Sequence, residues 1–204
     1  IPWKREAITV LWGPVDFLAS AGRESSEECV VGYVGNSEPW QGIDTIIAAA
    51  RALEDTPGIR FALAGFAYED EKRFPRLKNV RYTGPIPYEQ VAAFMRECTV
   101  MVSSRLKHPV SDLQFPHKLS TYLASACPVI VSGSSDQPQV VRGAACGEVV
   151  DPLTAETLAE AIKRFAAYSP EQLLAMREGA RRFAEQHLHL HPFAERLRKV
   201  YHLA

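Results

Sequence analysis

Short apolar runs alternate with amphipathic helical segments along this chain, and that alternation restricts the fold more than any other feature. Six runs rich in β-branched residues are predicted to be strands, at 30–35, 59–65, 80–83, 100–103, 128–132 and 147–150. Helices are predicted at 43–53, 88–96, 117–126, 137–142, 154–167 and 170–187, and a last one near Pro192. Apolar strands separated by helices form parallel sheets that are covered on both sides. We therefore predict an α/β fold: a Rossmann-like, parallel six-stranded sheet with helices on both faces.

Composition and charge exclude several classes of protein. The 204 residues carry a net charge of −1, so no basic excess points to nucleic acid as a partner. No apolar run approaches the roughly 20 residues that span a bilayer. The four cysteines form no C-x-x-C pair and lie in or beside apolar segments, which favours reduced cysteines and a cytoplasmic location.

Two groups of residues near the C-terminus leave alternatives open. Basic side chains recur at Arg177, Arg181, Arg182, Arg196, Arg198 and Lys199. Such a run is more often a solvated helix face, but peripheral contact with an anionic membrane is the alternative. The alternating His187, His189 and His191 have no carboxylate or cysteine at metal-ligand spacing, so we predict no metal site.

The segment from Phe115 to Ser132 is the best candidate for a binding site. A proline entry at Pro116 leads into a short helix, and a proline stop leads into an apolar strand. The free N–H groups at the start of such a helix suit a phosphate or another anion. Ligands of parallel sheets bind at the carboxyl ends of the strands, so the loops 35–42, 65–70, 84–88 and 104–117 should face the same ligand. The dinucleotide fingerprint G-x-G-x-x-G, the phosphate loop and the nucleophile elbow are all absent.

Five motifs in the right order resemble the C-terminal, donor-binding half of a GT-B glycosyltransferase of the group-one, family-four type. Residues 8–16 are similar to the family's segment that leaves the N-terminal domain, and residues 34–42 are similar to its loop after the first strand. Residues 82–86 resemble the element that faces the nucleobase, and residues 115–129 resemble the F-P-x-K-l…P-V block. Residues 193–201 resemble the closing helix. The resemblance implies that 1–28 is a connector from a missing N-terminal domain. It also implies that 29–204 is a Rossmann-like nucleotide-sugar donor-binding domain with C-terminal helices.

The chain departs from this family at the side chains that usually hold the donor. The Arg and Lys of the loop after the first strand are replaced by Asn36 and Gln41, and the two glutamates by Leu113 and Thr121. The glycine of the A-x-G-x-P block is Ala126. The E-x7-E motif is therefore degenerate, and the sequence is closer to a subset of transferases in which the lysine at the helix start lies near the phosphates.

The resemblance implies a hexosyltransferase-type enzyme that takes a sugar from a nucleotide sugar, used as substrate with no other cofactor, and transfers it to an acceptor hydroxyl. The candidate donor-binding residues are Gly35, Asn36, Gln41, Ile86, Arg105, Asp112, Phe115, Pro116, Lys118 and Thr121. The catalytic residue is not assigned. The missing N-terminal domain would bring the acceptor, so the isolated chain is expected to be inactive.

Three alternatives remain at this point. From the residues alone, a solvated first-turn lysine is the favoured interpretation of Lys118, because a cation there opposes the helix dipole. Loss of the donor-holding side chains is also what a non-catalytic GT-B-like interaction module would show. A flavodoxin-like module, which would carry flavin, is a weaker third alternative.

Overall fold

A computed structural model describes Val15 and the residues 28–66, 72–108 and 111–201. Six strands form one sheet: β1 (Cys29–Val34), β2 (Ile59–Ala64), β3 (Val80–Tyr82), β4 (Val100–Ser103), β5 (Val129–Ser132) and β6 (Gly147–Val150). All neighbouring pairs are parallel. The predicted α/β class and the six-stranded parallel sheet are thus confirmed.

Seven α-helices accompany the sheet: α1 (Ile43–Ala52), α2 (Tyr88–Arg96), α3 (His117–Ala124), α4 (Gln137–Ala144), α5 (Ala155–Ala167), α6 (Pro170–His187) and α7 (Leu190–Val200). Two short 3-10 turns lie at Pro39–Gln41 and Ser111–Leu113. The last helix begins two residues before the predicted Pro192, since a proline in the first turn needs no intrahelical N–H partner. Ser169 caps α6 by accepting from the Gln172 N–H, in a capping box.

The helices cover both faces of the sheet, as its alternating apolar residues require. Val31 and Tyr33 of β1 point to the face covered by α1 and α5. Val30 and Val34 point to the opposite face, where α2, α3, α4 and α6 contribute the core. Buried side chains on both faces explain why the strands are continuous apolar runs.

The strand order is β3-β2-β1-β4-β5-β6, so successive strands are added on one side of β1 up to β3 and on the other side from β4 onward. This is the doubly wound order in which a ligand crevice opens beyond the carboxyl ends of the strands where the order reverses. It differs from the flavodoxin order, so the flavodoxin-like alternative is wrong. The crevice lies between the loop after β1, the loop after β4 and the start of α3.

Three strands, β1, β2 and β3, end one residue earlier than predicted, and the residue after β1 and after β2 is a glycine. Gly35 has a φ of 152° and Gly65 a φ of 98°, which take the chain out of the extended conformation. An added Cβ at Gly65 would lie 2.5 Å from the Gly35 carbonyl oxygen, so the two turns stack directly on each other. The predicted connector 1–28 lies outside the described residues except for Val15 and Glu28. The Val15 N–H donates to the Leu188 carbonyl at 3.0 Å.

All four cysteines are buried, and none lies in a disulfide. Across the part of the chain that the structure describes, no helix combines the length and apolarity needed to cross a bilayer.

Candidate functional site

Backbone and side-chain hydrogen bonds join the loops after β1 and β4 at the carboxyl edge of the sheet. The Ser104 hydroxyl donates to the Gln41 carbonyl at 2.8 Å, and the Leu106 N–H donates to the Trp40 carbonyl at 2.9 Å. Between them Gly42 has a φ of 67°, and an added Cβ there would lie 2.0 Å from the Ser104 carbonyl oxygen. Only glycine fits this crossing, so the two loops form one fixed wall of the crevice.

Lys118 lies in the first turn of α3, and its ammonium group is held inside the crevice. Pro116 is the N-cap and is buried, and it makes no side-chain cap hydrogen bond. The Lys118 Nζ donates to the Tyr33 hydroxyl at 2.7 Å and lies 4.0 Å from the centroid of the Tyr33 ring. The residue keeps partial exposure along its stem, but the charged end is surrounded by protein. Lys118 is thus not the solvated lysine that a first-turn position suggests.

Burial and, to a smaller extent, the nearby positive charge of Arg105 together lower the pKa of Lys118 to about 7. A buried ammonium without a counter-charge is unfavourable, and the neutral amine is favoured instead. Among the described residues, no carboxylate forms an ion pair with this group. An anion at this place would restore the charged form.

Gly35 makes room for the lysine. Its N–H donates to the Ala64 carbonyl at 3.0 Å, which fixes the turn at the end of β1. An added Cβ at Gly35 would lie 2.7 Å from the Lys118 Nζ and 3.0 Å from the Tyr33 hydroxyl. The side chain from α3 therefore reaches Tyr33 by passing over a residue that has no side chain of its own.

Arg105 is the second cation of the crevice, and it is only 9% exposed. Its Nη1 donates to the Gln114 carbonyl at 3.1 Å and its Nη2 to the Gln114 side-chain oxygen at 3.2 Å. Its Nε is buried without a hydrogen-bond acceptor. Burial lowers the pKa of Arg105, and the negative charge of Asp112 partly opposes this effect. Most buried polar groups in folded proteins have a hydrogen-bond partner, so this Nε is an exception.

A buried polar network fixes the backbone of Arg105 from behind. The Ser132 and Ser134 hydroxyls both donate to the Arg105 carbonyl, the second at 3.1 Å. The fully buried Gln137, at the start of α4, donates to both of these hydroxyls and accepts from Ser103. Because every one of these groups is paired, the loop after β4 is held rigidly where Arg105 leaves the sheet.

The other predicted site residues take three kinds of position. The backbone carbonyls of Asn36 and Gln41 accept hydrogen bonds from the Tyr33 and Ser104 hydroxyls, while the Asn36 residue is exposed and Gln41 half-buried. Ile86 and Phe115 are partly buried and pack on the α2–α3 side of the core. The Thr121 hydroxyl donates back to the His117 carbonyl at 3.4 Å and is largely buried, so it is directed into its own helix.

Asp112 and Leu113 lie in the 3-10 turn that precedes α3. Asp112 is exposed and acts on Arg105 through its charge. Leu113, at the position of the family's first glutamate, is 88% exposed. Neither supplies a carboxylate in contact with Lys118, so the residues of the crevice that the structure describes keep an excess of positive charge.

The basic residues Arg105 and Lys107, which follow β4, take different positions in the structure. Lys107 forms an ion pair with Asp151 at 2.9 Å, whereas the buried Arg105 donates to Gln114. Near the C-terminus, Arg181 pairs with Glu185 at 2.8 Å and Arg182 with Glu178 at 3.8 Å. Those pairs reduce the free positive charge of the α6 face.

Sequence reasoning missed Tyr33, Gln114 and Gln137, all of which hold the two cations in place. Tyr33 lies in an apolar strand of the sequence. Its hydroxyl, which needs a hydrogen-bond partner when it is buried, is the feature that distinguishes it from the other strand residues. Gln137 was marked in a similar way, because it is a polar residue on the face of a short helix whose other buried residues are apolar. In the described part of the chain, no group of three or more His, Cys, Asp or Glu residues could hold a metal ion.

Comparison with solved structures shows the same fold in several glycosyltransferases. The sucrose-phosphate synthase (tll1590) from Thermosynechococcus elongatus is 23% identical over 86% of this chain and 45% of its own, with a TM-score of 0.70. Anabaena Alr3699/HepE, solved in complex with UDP and glucose, is 16% identical over 86% of this chain and 48% of its own, with a TM-score of 0.70. The chain thus spans about half the length of these two proteins.

One neighbour is itself a separate domain. The C-terminal domain of the group 1 family glycosyl transferase LpcC from Francisella tularensis is 14% identical over 83% of this chain and 96% of its own, with a TM-score of 0.67. No curated protein sequence matches the chain. The family model described as "Glycosyl transferases group 1" matches residues 16–183. The chain therefore belongs to the group 1 glycosyltransferases.

Proposed function

We propose that this chain is the donor-binding half of a glycosyltransferase that moves a hexosyl group from a nucleotide sugar to an acceptor hydroxyl. One observation carries the proposal: two buried cations, Lys118 and Arg105, lie close together at the carboxyl edge of the sheet without an ion pair among the described residues. Like charges in a poorly solvated place repel each other. A ligand with two negative charges, such as the diphosphate of a nucleotide sugar, supplies the missing counter-charge.

The N-terminus of α3 adds to the same field. Its first N–H groups have no side-chain cap and lie beside Lys118, and the helix dipole favours an anion there. We propose that Lys118, Arg105 and these N–H groups bind the diphosphate. The backbone turns at Gly35 and Gly84–Ile86 then form the walls around it. Asn36, Gln41, Phe115 and Pro116 support those walls.

The arrangement also serves the chemical step. When the bond from the sugar to the diphosphate breaks, negative charge grows on the leaving nucleoside diphosphate. Two cations and a helix N-terminus that are already in place stabilise that charge without reorganisation. Because the chain spans about half of its relatives, the acceptor site belongs to the missing domain, and we expect the isolated chain to bind the donor without transferring the sugar.

Calorimetric titration with UDP-, GDP- and dTDP-sugars tests this proposal. At least one should bind saturably, and Lys118→Met and Arg105→Met should each weaken that binding about 10-fold or more, since each removes a charge-assisted contact. Lys107→Met is the matched control, because Lys107 pairs with Asp151 and leaves the two buried cations in place. Absence of binding to all of them would instead favour the non-catalytic interaction module. Binding that neither variant weakens would refute the assigned site.

A further inference from the structure

Tyr33 is a fully buried residue with a hydroxyl that touches both the loop after β1 and the lysine of α3. Its hydroxyl donates to the Asn36 carbonyl at 2.7 Å and accepts from the Lys118 Nζ at 2.7 Å. Its ring stacks on Phe66, with centroids 5.8 Å apart and planes 13° apart. The core thus fixes the ring, and the ring fixes the position of the hydroxyl.

The direction of the two hydrogen bonds decides what the hydroxyl does for the lysine. A phenol has one proton to donate, and here that proton is used on the Asn36 carbonyl. Only the oxygen lone pairs then face Lys118. Burial raises the pKa of Tyr33, so the phenol keeps its proton and this direction throughout the neutral range. An acceptor that faces an amine stabilises the protonated ammonium form.

We propose that Tyr33 is a positioning residue for the anion site: its hydroxyl holds the Lys118 ammonium over Gly35, at the place where the donor diphosphate binds. The inference rests on the proposed function for the identity of the anion, but not for the link between the two side chains. In the absence of a donor, the Tyr33 hydroxyl and the ring face are the stabilising contacts of the ammonium group.

The other groups around Lys118 do not take over this role. Arg105, from the loop after β4, opposes the charge on Lys118. Asp112 is exposed and acts on Arg105. On α3 itself, His117 is exposed, and the hydroxyl of Tyr122 bonds to the Val34 backbone. Among these neighbours, Tyr33 is therefore the group whose removal should lower the pKa of Lys118 further.

Replacement of Tyr33 by phenylalanine removes the hydroxyl and keeps the stacked ring. NMR titration of the lysine side chains measures the effect on the donor-free protein, and the Lys118 signal is the one that is lost in Lys118→Met. We expect a midpoint near 7 in the wild type. In Tyr33→Phe it should fall by about one unit, because a hydrogen bond to a charged group is removed. Tyr168→Phe is the matched control, since that hydroxyl donates to Glu148 on β6.

Titration with UDP-glucose across pH gives the second measurement, because the charge of its diphosphate diester stays constant over the range. A one-unit shift predicts that Tyr33→Phe binds about 5-fold more weakly than the wild type at pH 7 and about 10-fold more weakly at pH 8. At pH 5.5 the difference should be under about 2-fold. A purely structural role for Tyr33 would weaken binding equally at every pH.

The outcomes separate the two proposals. A Lys118 midpoint that stays or rises in Tyr33→Phe overturns the positioning role, as does a pH-independent loss of binding. A midpoint that falls in a protein that binds none of the UDP-, GDP- or dTDP-sugars confirms the link between Tyr33 and Lys118 and refutes the nucleotide sugar as the anion. Both measurements in the expected direction support both proposals.

Discussion

The buried lysine of the anion site should destabilise the free protein, and Lys118→Met exposes that cost. Methionine fills a similar volume without a charge, so it keeps the packing between α3 and β1 and removes the need to desolvate an ammonium group. The pKa of Lys118 is lowered from 10.5 to about 7 in the folded protein. Between these two values the unfolded chain binds more protons than the folded one, so stability rises with pH in this window.

The magnitude follows from those two values. From pH 7 to pH 9, the change in proton binding of one such group adds about 2 kcal/mol to the free energy of unfolding of the wild type. Other titrating groups are common to both proteins and cancel in the difference. The stability of the wild type relative to Lys118→Met should therefore rise by about 2 kcal/mol over this range, and it should be constant below pH 6, where the lysine is protonated in both states.

Urea denaturation at pH 6, 7, 8 and 9 measures this difference. Lys163→Met is the matched control, because it removes an exposed ammonium from α5 and its unfolding free energy should run parallel to that of the wild type. A relative change below about 0.5 kcal/mol between pH 7 and pH 9, or one of opposite sign, would refute the claim that the ammonium is desolvated.

Two further changes test the framework around the site. Ala126 follows α3 with a φ of 54°, a left-handed conformation that strains any residue except glycine. Ala126→Gly should therefore raise the free energy of unfolding by about 0.5–1 kcal/mol, because the relief of strain is only partly offset by a more flexible unfolded chain. A lower urea midpoint in Ala126→Gly would contradict this prediction. Gln137→Leu removes the hydrogen bonds that the Gln137 side chain makes with the buried hydroxyls of Ser103, Ser132 and Ser134. It should lower the free energy of unfolding by about 2–4 kcal/mol in the same assay. An unchanged value would show that the network does not stabilise the fold.

The order of strands and helices was open to prediction because each element carries its own local pattern. β1 and β4 are apolar on both faces, and Ser169 before Pro170 marks the start of α6 by its capping chemistry. Boundaries were less certain where backbone geometry alone ends an element. Gly35 and Gly65 continue the apolar runs of β1 and β2 in sequence, but their φ values belong to turns.

The candidate site was predictable in its place and only partly in its contacts. The start of α3 follows from Pro116, and parallel strands place the loops at one edge. The contact between Lys118 and Tyr33 joins residues 85 positions apart, and Gln137 reaches Ser103 across 34 positions. Such pairs depend on register and crossing in three dimensions, and one sequence contains no local signal for them.

The loop after β1, in which the resemblance implies that Asn36 and Gln41 replace the family's cations, contributes backbone contacts in this structure. Asn36 and Gln41 contribute backbone carbonyls, which receive the Tyr33 and Ser104 hydroxyls. Through these bonds the loop orients Tyr33 toward Lys118 and holds the segment that begins with Ser104 and continues into Arg105. The two cations Lys118 and Arg105 lie on α3 and on the chain after β4, while the loop after β1 supports them. An arginine in place of Asn36 would add a third cation near two that already repel, so an uncharged residue at this position is consistent with the two buried cations.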